Sequence, residues 1–327
     1  MRGICKLGVA AVALAVVMAG PMRSEALVDD PYTSFTQPAN ALVMPFDATE
    51  NWVSFLIVSN IAGVSSGGGS DILGVTTHWA YWSDTCEHLV DVWVCLTLND
   101  TIVVDPREIS AVDSGNTQIG PKTDLDGHRG FVVVTAYATD EICSDGSIRG
   151  FDLVDNAIVG AATRANTDAG YSFGNDAIGL GLDSSGSYTE LPQGAEGDID
   201  VLTLNPTTVD SSAVTLLSLR ESSGSGTTSD HEVGPNTSTI TANLVLYDNL
   251  EIPTSLPDQN IRCAAFTSMV PGEGLIPGSV SVDSSGFLRM LGVNTNDGQF
   301  VYAVHGQAVG SFGGSNYGKY KISETGQ

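Results

Sequence analysis

Leu89-Val90-Asp91-Val92-Trp93-Val94-Cys95-Leu96-Thr97-Leu98 carries the clearest structural signal in the chain. On an extended backbone Val90, Val92, Val94 and Leu96 share one face, and Leu89, Asp91, Trp93 and Cys95 share the other. β-branched and aromatic residues suit a pleated, half-buried surface. The same character recurs at Trp52 to Val58, Thr76 to Trp82 and Phe131 to Ala138. Further strand candidates are Asp200 to Leu204, Ala213 to Leu219, Thr239 to Tyr247, Arg262 to Phe266, Phe287 to Val293 and Phe300 to His305. No segment sustains a helical period over three turns. Asn156 to Ala165 is the best helical candidate, and Gly160 and Thr163 weaken it.

Turn chemistry separates these runs. Asp183-Ser184-Ser185-Gly186 and Asp283-Ser284-Ser285-Gly286 are the same tetrapeptide, with Asp placed to cap and Gly free to take a left-handed conformation. Asp126-Gly127, Asp145-Gly146 and Asp297-Gly298 are shorter turns of the same kind. Ser65 to Ser70 and Ser222 to Ser229 are Gly/Ser-rich and read as mobile loops. Many short strands with such punctuation predict an all-β protein, an antiparallel β-sandwich of Ig-like or jelly-roll-like type. Leu96-Thr97-Leu98-Asn99 recurs as Leu202-Thr203-Leu204-Asn205, each followed by a Val-Asp pair, Val104-Asp105 and Val209-Asp210. This echo predicts two sandwich domains, residues 27–190 and 191–327.

The first 26 residues read as an address. Arg2 and Lys6 precede an apolar run from Leu7 to Gly20, and Ser24-Glu25-Ala26 offers small residues at the −3 and −1 positions of a cleavage site. A membrane span needs about 20 apolar residues, and this run is shorter. A secretory signal peptide cut after Ala26 is the expectation, with the mature protein secreted, periplasmic or on the cell surface. No later stretch is apolar enough to span a bilayer. An outer-membrane barrel would want aromatic girdles, and only 7% of the chain is aromatic.

The formal net charge is −25. Losing residues 1–26 removes Arg2, Lys6, Arg23 and Glu25 and leaves a charge of −27. Nucleic acid and anionic lipid require basic surface, so neither is an expected partner. Other surface proteins, a further copy of the chain or a polysaccharide are the partners that remain. Four cysteines stay in the mature chain, Cys86, Cys95, Cys143 and Cys263, and an even number in an exported protein reads as two disulfides. Three connectivities exist. The local pairing, Cys86–Cys95 with Cys143–Cys263, is preferred on one condition. A straight strand from Leu89 to Cys95 would extend about 20 Å, beyond disulfide reach, so the chain would have to bend between Glu87 and Asp91. Paired Cys-x-x-Cys spacing is absent, which argues against zinc.

Several stretches resemble a loose group of secreted bacterial β-sandwich proteins of no assigned activity. They are Ala41-Leu42-Val43-Met44-Pro45-Phe46-Asp47, Val58-Ser59-Asn60, Tyr81-Trp82-Ser83-Asp84-Thr85-Cys86 and Leu96-Thr97-Leu98-Asn99-Asp100-Thr101. The resemblance covers about the first half of the mature chain and implies a fold and an exported setting. It supplies no catalytic residue. Ser83 stands where the pattern leads one to expect an acidic or small turn residue.

Candidate chemistry is sparse. The chain lacks a Gly-x-Ser-x-Gly elbow, and its five histidines, His78, His88, His128, His231 and His305, mark no nucleophile by position. Glycoside hydrolysis needs a carboxylate pair at a defined separation, which the 37 acidic residues left after removal of residues 1–26 cannot single out. No catalytic residue is assigned. Calcium is the one candidate cofactor. Asp124 and Asp126 before Gly127, and Asn294, Asn296 and Asp297 before Gly298, place oxygen ligands at alternate positions. An ordinary Asp/Asn/Gly turn is the simpler account of both. Trp79, Tyr81 and Trp82 are candidate ligand-binding aromatics, Trp79 and Tyr81 on one strand face and Trp82 on the other. At least one of those faces should be core, and core packing is the better account of all three. The favoured function is therefore non-enzymatic: a structural, surface-associated or adhesive exported protein. A carbohydrate- or small-ligand-binding module is second and a secreted hydrolase third.

Overall fold

The computed structural model describes residues 38–61, 74–108, 125–139, 153, 156–168, 170–182, 188–190, 199–203, 211–221, 233–247, 252–268, 274, 276–277, 286–291, 299–308 and 318–321. The segment read as a signal peptide, both Gly/Ser-rich stretches, His231 and the Asp145-Gly146 and Asp297-Gly298 turns lie outside them.

Twenty strands and one turn of 3-10 helix make up the described chain. The first half contains β1 (Ala41–Asp47), β2 (Trp52–Asn60), β3 (Gly74–Ser83), β4 (His88–Thr97), β5 (Thr101–Val104), β6 (Arg129–Thr139), β7 (Ile158–Asn166), β8 (Tyr171–Asp176), β9 (Ile178–Leu182) and β10 (Tyr188–Glu190). The second contains β11 (Ile199–Thr203), β12 (Ser211–Glu221), β13 (Val233–Pro235), β14 (Ile240–Tyr247), β15 (Pro253–Ser255), β16 (Gln259–Ile261), β17 (Ala264–Ser268), β18 (Gly286–Leu291), β19 (Gln299–Ala308) and β20 (Gly318–Lys321). Each strand predicted from sequence overlaps one of these. All the pairings are antiparallel, in sheets ordered β10-β9-β1-β6-β3-β4, β5-β2-β7-β8, β11-β18-β14-β15 and β13-β12-β19-β20, with β16 beside β14 and β17 beside β12. The all-β, sandwich-like class expected from the alternating runs is the class observed. No helix among the described residues is long and apolar enough to cross a membrane.

The inner strands β1, β6 and β3 of the six-stranded sheet are buried on both faces, and the sequence explains how. In β1, Leu42, Met44 and Phe46 point into one core, and Ala41 and Val43 point into another. β6 divides in the same way, with Val132, Val134 and Ala136 on the first side and Phe131 and Val133 on the second. A strand with cover on both sides reads as a continuous apolar run rather than an alternating one, which is how 131–134 reads. The first core is closed by Leu56 and Val58 of β2 and Ile158 and Ala162 of β7. The second is closed by Leu217, Leu219, Val233, Cys263 and Ala264. That second core draws on chain from both sides of residue 190, the position of the boundary expected from sequence.

The helix expected over Asn156 to Ala165 is replaced by strand β7. Ile158, Gly160, Ala162 and Arg164 are buried while the residues between them are only partly covered, a period of two. The cause is close packing of the two sheets at Gly160. A Cβ there would lie 2.7 Å from the Ile57 carbonyl oxygen and 2.9 Å from Leu42 Cδ1. A residue that weakens a helix is what lets this strand approach its neighbours. On the same face Arg164 is buried among the strands of the second half. Its Nη1 donates to Thr215 Oγ1 at 2.9 Å, and its guanidinium lies 5.7 Å from the Phe266 ring centre.

The preferred disulfide pairing is also corrected. Cys86 is bonded to Cys263, with Cα atoms 5.4 Å apart and a sequence separation of 177. β4 begins at His88 and runs through Cys95 without turning back, so the bend that a local bridge requires does not exist. Cys95 is itself disulfide-bonded, and Cys143 lies outside the described residues. Cys86 and Cys263 both have positive φ, 72° and 59°. The Ser83 hydroxyl holds the turn that carries Cys86, accepting from the N–H of Thr85 at 3.2 Å and of Glu87 at 3.0 Å. This serine therefore performs the capping expected of an acidic turn residue.

Candidate functional site

The aromatic residues singled out in the sequence separate into core and rim. β3 is flanked by β6 and β4, so both its edges are paired, and all its residues but Trp82 are buried. Trp79 and Tyr81 are each 1% exposed and belong to the first core. The Trp79 indole donates to Thr77 Oγ1 at 2.8 Å, and Thr77 Oγ1 donates in turn to the Val94 carbonyl at 2.8 Å. The indole nitrogen is thus satisfied inside the protein. Burial pushes the Tyr81 phenol well above its ordinary value of 10.0, so it stays neutral. Trp82, on the other face, packs against the second core beside the cystine. Its ring meets His88 edge to face, with centres 4.7 Å apart.

Beside Trp82 the paired strands assemble a polar cluster. The β3–β4 register sets His78 opposite Trp93 and Ala80 opposite Asp91, then slips between Tyr81 and Trp82 so that Trp82 faces His88. The slip is a bulge, which re-aims side chains near it. Asp91 Oδ1 consequently receives two imidazoles, His78 Nε2 at 3.1 Å and His88 Nε2 at 2.9 Å. An ionised carboxylate only accepts, so each Nε2 carries its proton in these contacts. Partial burial raises the Asp91 carboxyl, but the hydrogen bonds and charges of His78 and His88 outweigh it and hold the group below its ordinary value of 3.8. His78 stacks on Trp93 with ring centres 4.2 Å apart and planes 18° from parallel, and Trp93 tilts against Tyr137 at 5.7 Å. The His78 side chain is 10% exposed, against 44% for Asp91 and 41% for His88. The cluster therefore spans the sheet rim from core to solvent.

Sequence reasoning named His78 and His88 only as members of a list. The available signal was His88-x-x-Asp91 at the start of an alternating strand. The pairing that adds His78 from thirteen positions away is a matter of register. The arrangement can hold and share protons around one carboxylate. Among the described residues no three His, Cys, Asp or Glu side chains are grouped to hold a metal ion.

The calcium candidates are mostly out of view. Asp124, Asn294, Asn296 and Asp297 lie outside the described residues. Asp126 is exposed at the turn before Gly127, whose φ is +83°, and its Oδ1 lies 3.7 Å from Arg107 Nε. His128 is exposed and follows that turn. His305 sits on β19 opposite Val214. Neither a protein-family model nor a curated protein matches the chain.

Proposed function

We propose that this is an exported, non-enzymatic protein with a structural role, surface-associated or adhesive. The observation that carries the reading is the six-stranded sheet, whose inner strands are buried on both faces and which is tied through Cys86–Cys263 to the second half of the chain. Such a framework resists local opening, because shear on either outer sheet is opposed by packed side chains and by a covalent bond. The apolar start of the chain and the charge of −27 after its removal support an extracellular setting, where disulfides persist. Cells producing the protein and cells lacking it should be compared by surface labelling with an antibody to the mature chain, and by retention on a solid support under flow. The expected result is labelling of intact cells and a loss of retention without the protein. Protein found only inside the cell, or retention unchanged by its loss, would overturn the reading.

A second reading, a carbohydrate- or small-ligand-binding module, has one observation in its favour. Trp93 is half-buried on the rim beside the exposed polar groups of Asp91 and His88, and a ring face next to hydrogen-bonding groups suits a sugar. Quenching of tryptophan fluorescence by an oligosaccharide, lost in Trp93→Ala, would favour it.

A further inference from the structure

We propose that the outer edge of β4, over His88–Val94, is a docking surface for an extended, basic segment of another protein, which adds as a further antiparallel strand. The inference does not depend on the structural or adhesive reading above.

Free sheet edges offer unpaired N–H and C=O groups to any extended chain, and proteins usually blunt them with short strands, Lys, Pro or bulges. Among the described residues every other strand at a sheet end is shorter than β4. Among the described residues, β10, β13 and β15 have three residues each, β5 and β20 four, β11 and β17 five and β8 six. β4 has ten and ends the six-stranded sheet. It contains neither Lys nor Pro, and its bulge lies at one end, between Tyr81 and Trp82 of its neighbour. Among the described residues it pairs with β3 alone. At its far end the edge is closed. The Thr97 N–H donates to Asp100 Oδ2 at 2.9 Å, the Thr97 carbonyl accepts from the Asp100 N–H at 3.0 Å, and Cys95 is held in a disulfide. The open length is therefore His88–Val94, longer than any other whole edge strand. The one carboxylate in it, Asp91, is already bound by two imidazoles, which weakens it as a guard against pairing.

Charge selects the occupant. From Glu87 to Asp105 the sequence contains no Lys or Arg, and Glu87, Asp91 and Asp100 are exposed along the strand and its ends. A second copy would bring the same charges. Antiparallel pairing about a two-fold axis sets the Glu87 end of one strand near the Asp100 end of the other, between chains that each carry −25. Like charges directly opposed across strands are unfavourable. A segment with apolar residues alternating with Lys or Arg satisfies both the backbone and the field, the usual recognition mode at an exposed sheet edge.

The test uses the full chain with its disulfides intact and a fluorescein-labelled octapeptide of alternating Val and Lys. Three measurements are made at about physiological salt: peptide anisotropy, backbone hydrogen exchange with and without peptide, and sedimentation of the protein alone. The expected result is saturable binding with at least tenfold slower exchange confined to β4. A version of the peptide N-methylated at alternate backbone amides, with its charge unchanged, should bind at least tenfold more weakly. Of Leu89→Pro and Val90→Pro, one removes an N–H that points away from β3. Whichever keeps the native circular dichroism should lose binding. Equal binding of the N-methylated peptide, or protection spread away from β4, would show attraction by charge alone and overturn the proposal. Self-association that an edge proline abolishes would overturn it too, by making a second copy the occupant. If both proline variants unfold, the N-methylated peptide and the exchange pattern still decide.

Discussion

Replacing Cys86 and Cys263 together by Ala should destabilise the protein by about 5 kcal/mol. The bridge closes a loop of 177 positions. In the chain-entropy model the denatured state loses conformational freedom that grows with the logarithm of loop length, which comes to about 4.7 kcal/mol for 100 residues and about 5 kcal/mol here. Both half-cystines also pack in the second core, with Cys263 fully buried against Leu217, Val233 and Ala264. Ala keeps that site apolar, so the packing loss is small beside the entropic term. A chain of this size unfolds with an entropy of about 0.6 kcal/mol per degree, so the loss appears as a fall of roughly 8 °C in melting temperature. Guanidinium unfolding followed by tryptophan fluorescence is the assay. An m-value above that of the unaltered protein would show that the loss arises in the denatured chain, which exposes more surface once the bridge is gone. A loss below about 1 kcal/mol would refute the reasoning, because the bridge would then constrain nothing that packing and the Cys95 disulfide do not already hold.

Gly160→Ala should cost about 1–3 kcal/mol by overpacking, since the added Cβ meets the Ile57 carbonyl and Leu42; an unchanged denaturation midpoint would mean that the two sheets separate freely there. The Asp91 carboxyl is held below 3.8 in the folded state, so its contribution to stability is present above that value and lost as the pH falls through the lowered one. Asp91→Asn should thus flatten the acid limb of a stability–pH curve below about pH 4 while changing stability at neutral pH by less than about 1 kcal/mol, given its exposure; an acid limb identical to that of the unaltered protein would exclude the carboxylate as its source. Sodium chloride should raise the melting temperature by screening the excess acidic charge, and calcium at matched ionic strength should raise it further only if Asp124 with Asp126, or Asn294, Asn296 and Asp297, form oxygen cages. Equal shifts with the two salts would leave screening alone.

The strands themselves were legible because their signal is local. Val90, Val92, Val94 and Leu96 alternate against Asp91 and Trp93 whatever surrounds them, and the β-sandwich class follows from many such runs with Asp-Gly turns between them. The same logic failed over Asn156 to Ala165. Small residues carry little periodic signal, and Gly160 is placed by contacts with Ile57 and Leu42, more than a hundred positions away. Trp79 and Tyr81 could be assigned to one face but not to a depth, because burial depends on what lies above the sheet. Disulfide connectivity was decided by tertiary structure for a related reason. The straightness of β4 argues against a local bridge, but only the shared core, in which Leu217, Val233 and Ala264 cluster with Phe131 and Val133, brings Cys263 to Cys86. The His78–Asp91–His88 cluster lies further still from any motif. It exists because antiparallel register, shifted by one bulge, sets a residue of β3 beside two of β4. Composition and periodicity determined the class of structure and the excess of acidic over basic residues. Which side chains meet was left to strand order and register, which are global properties that no window of sequence contains.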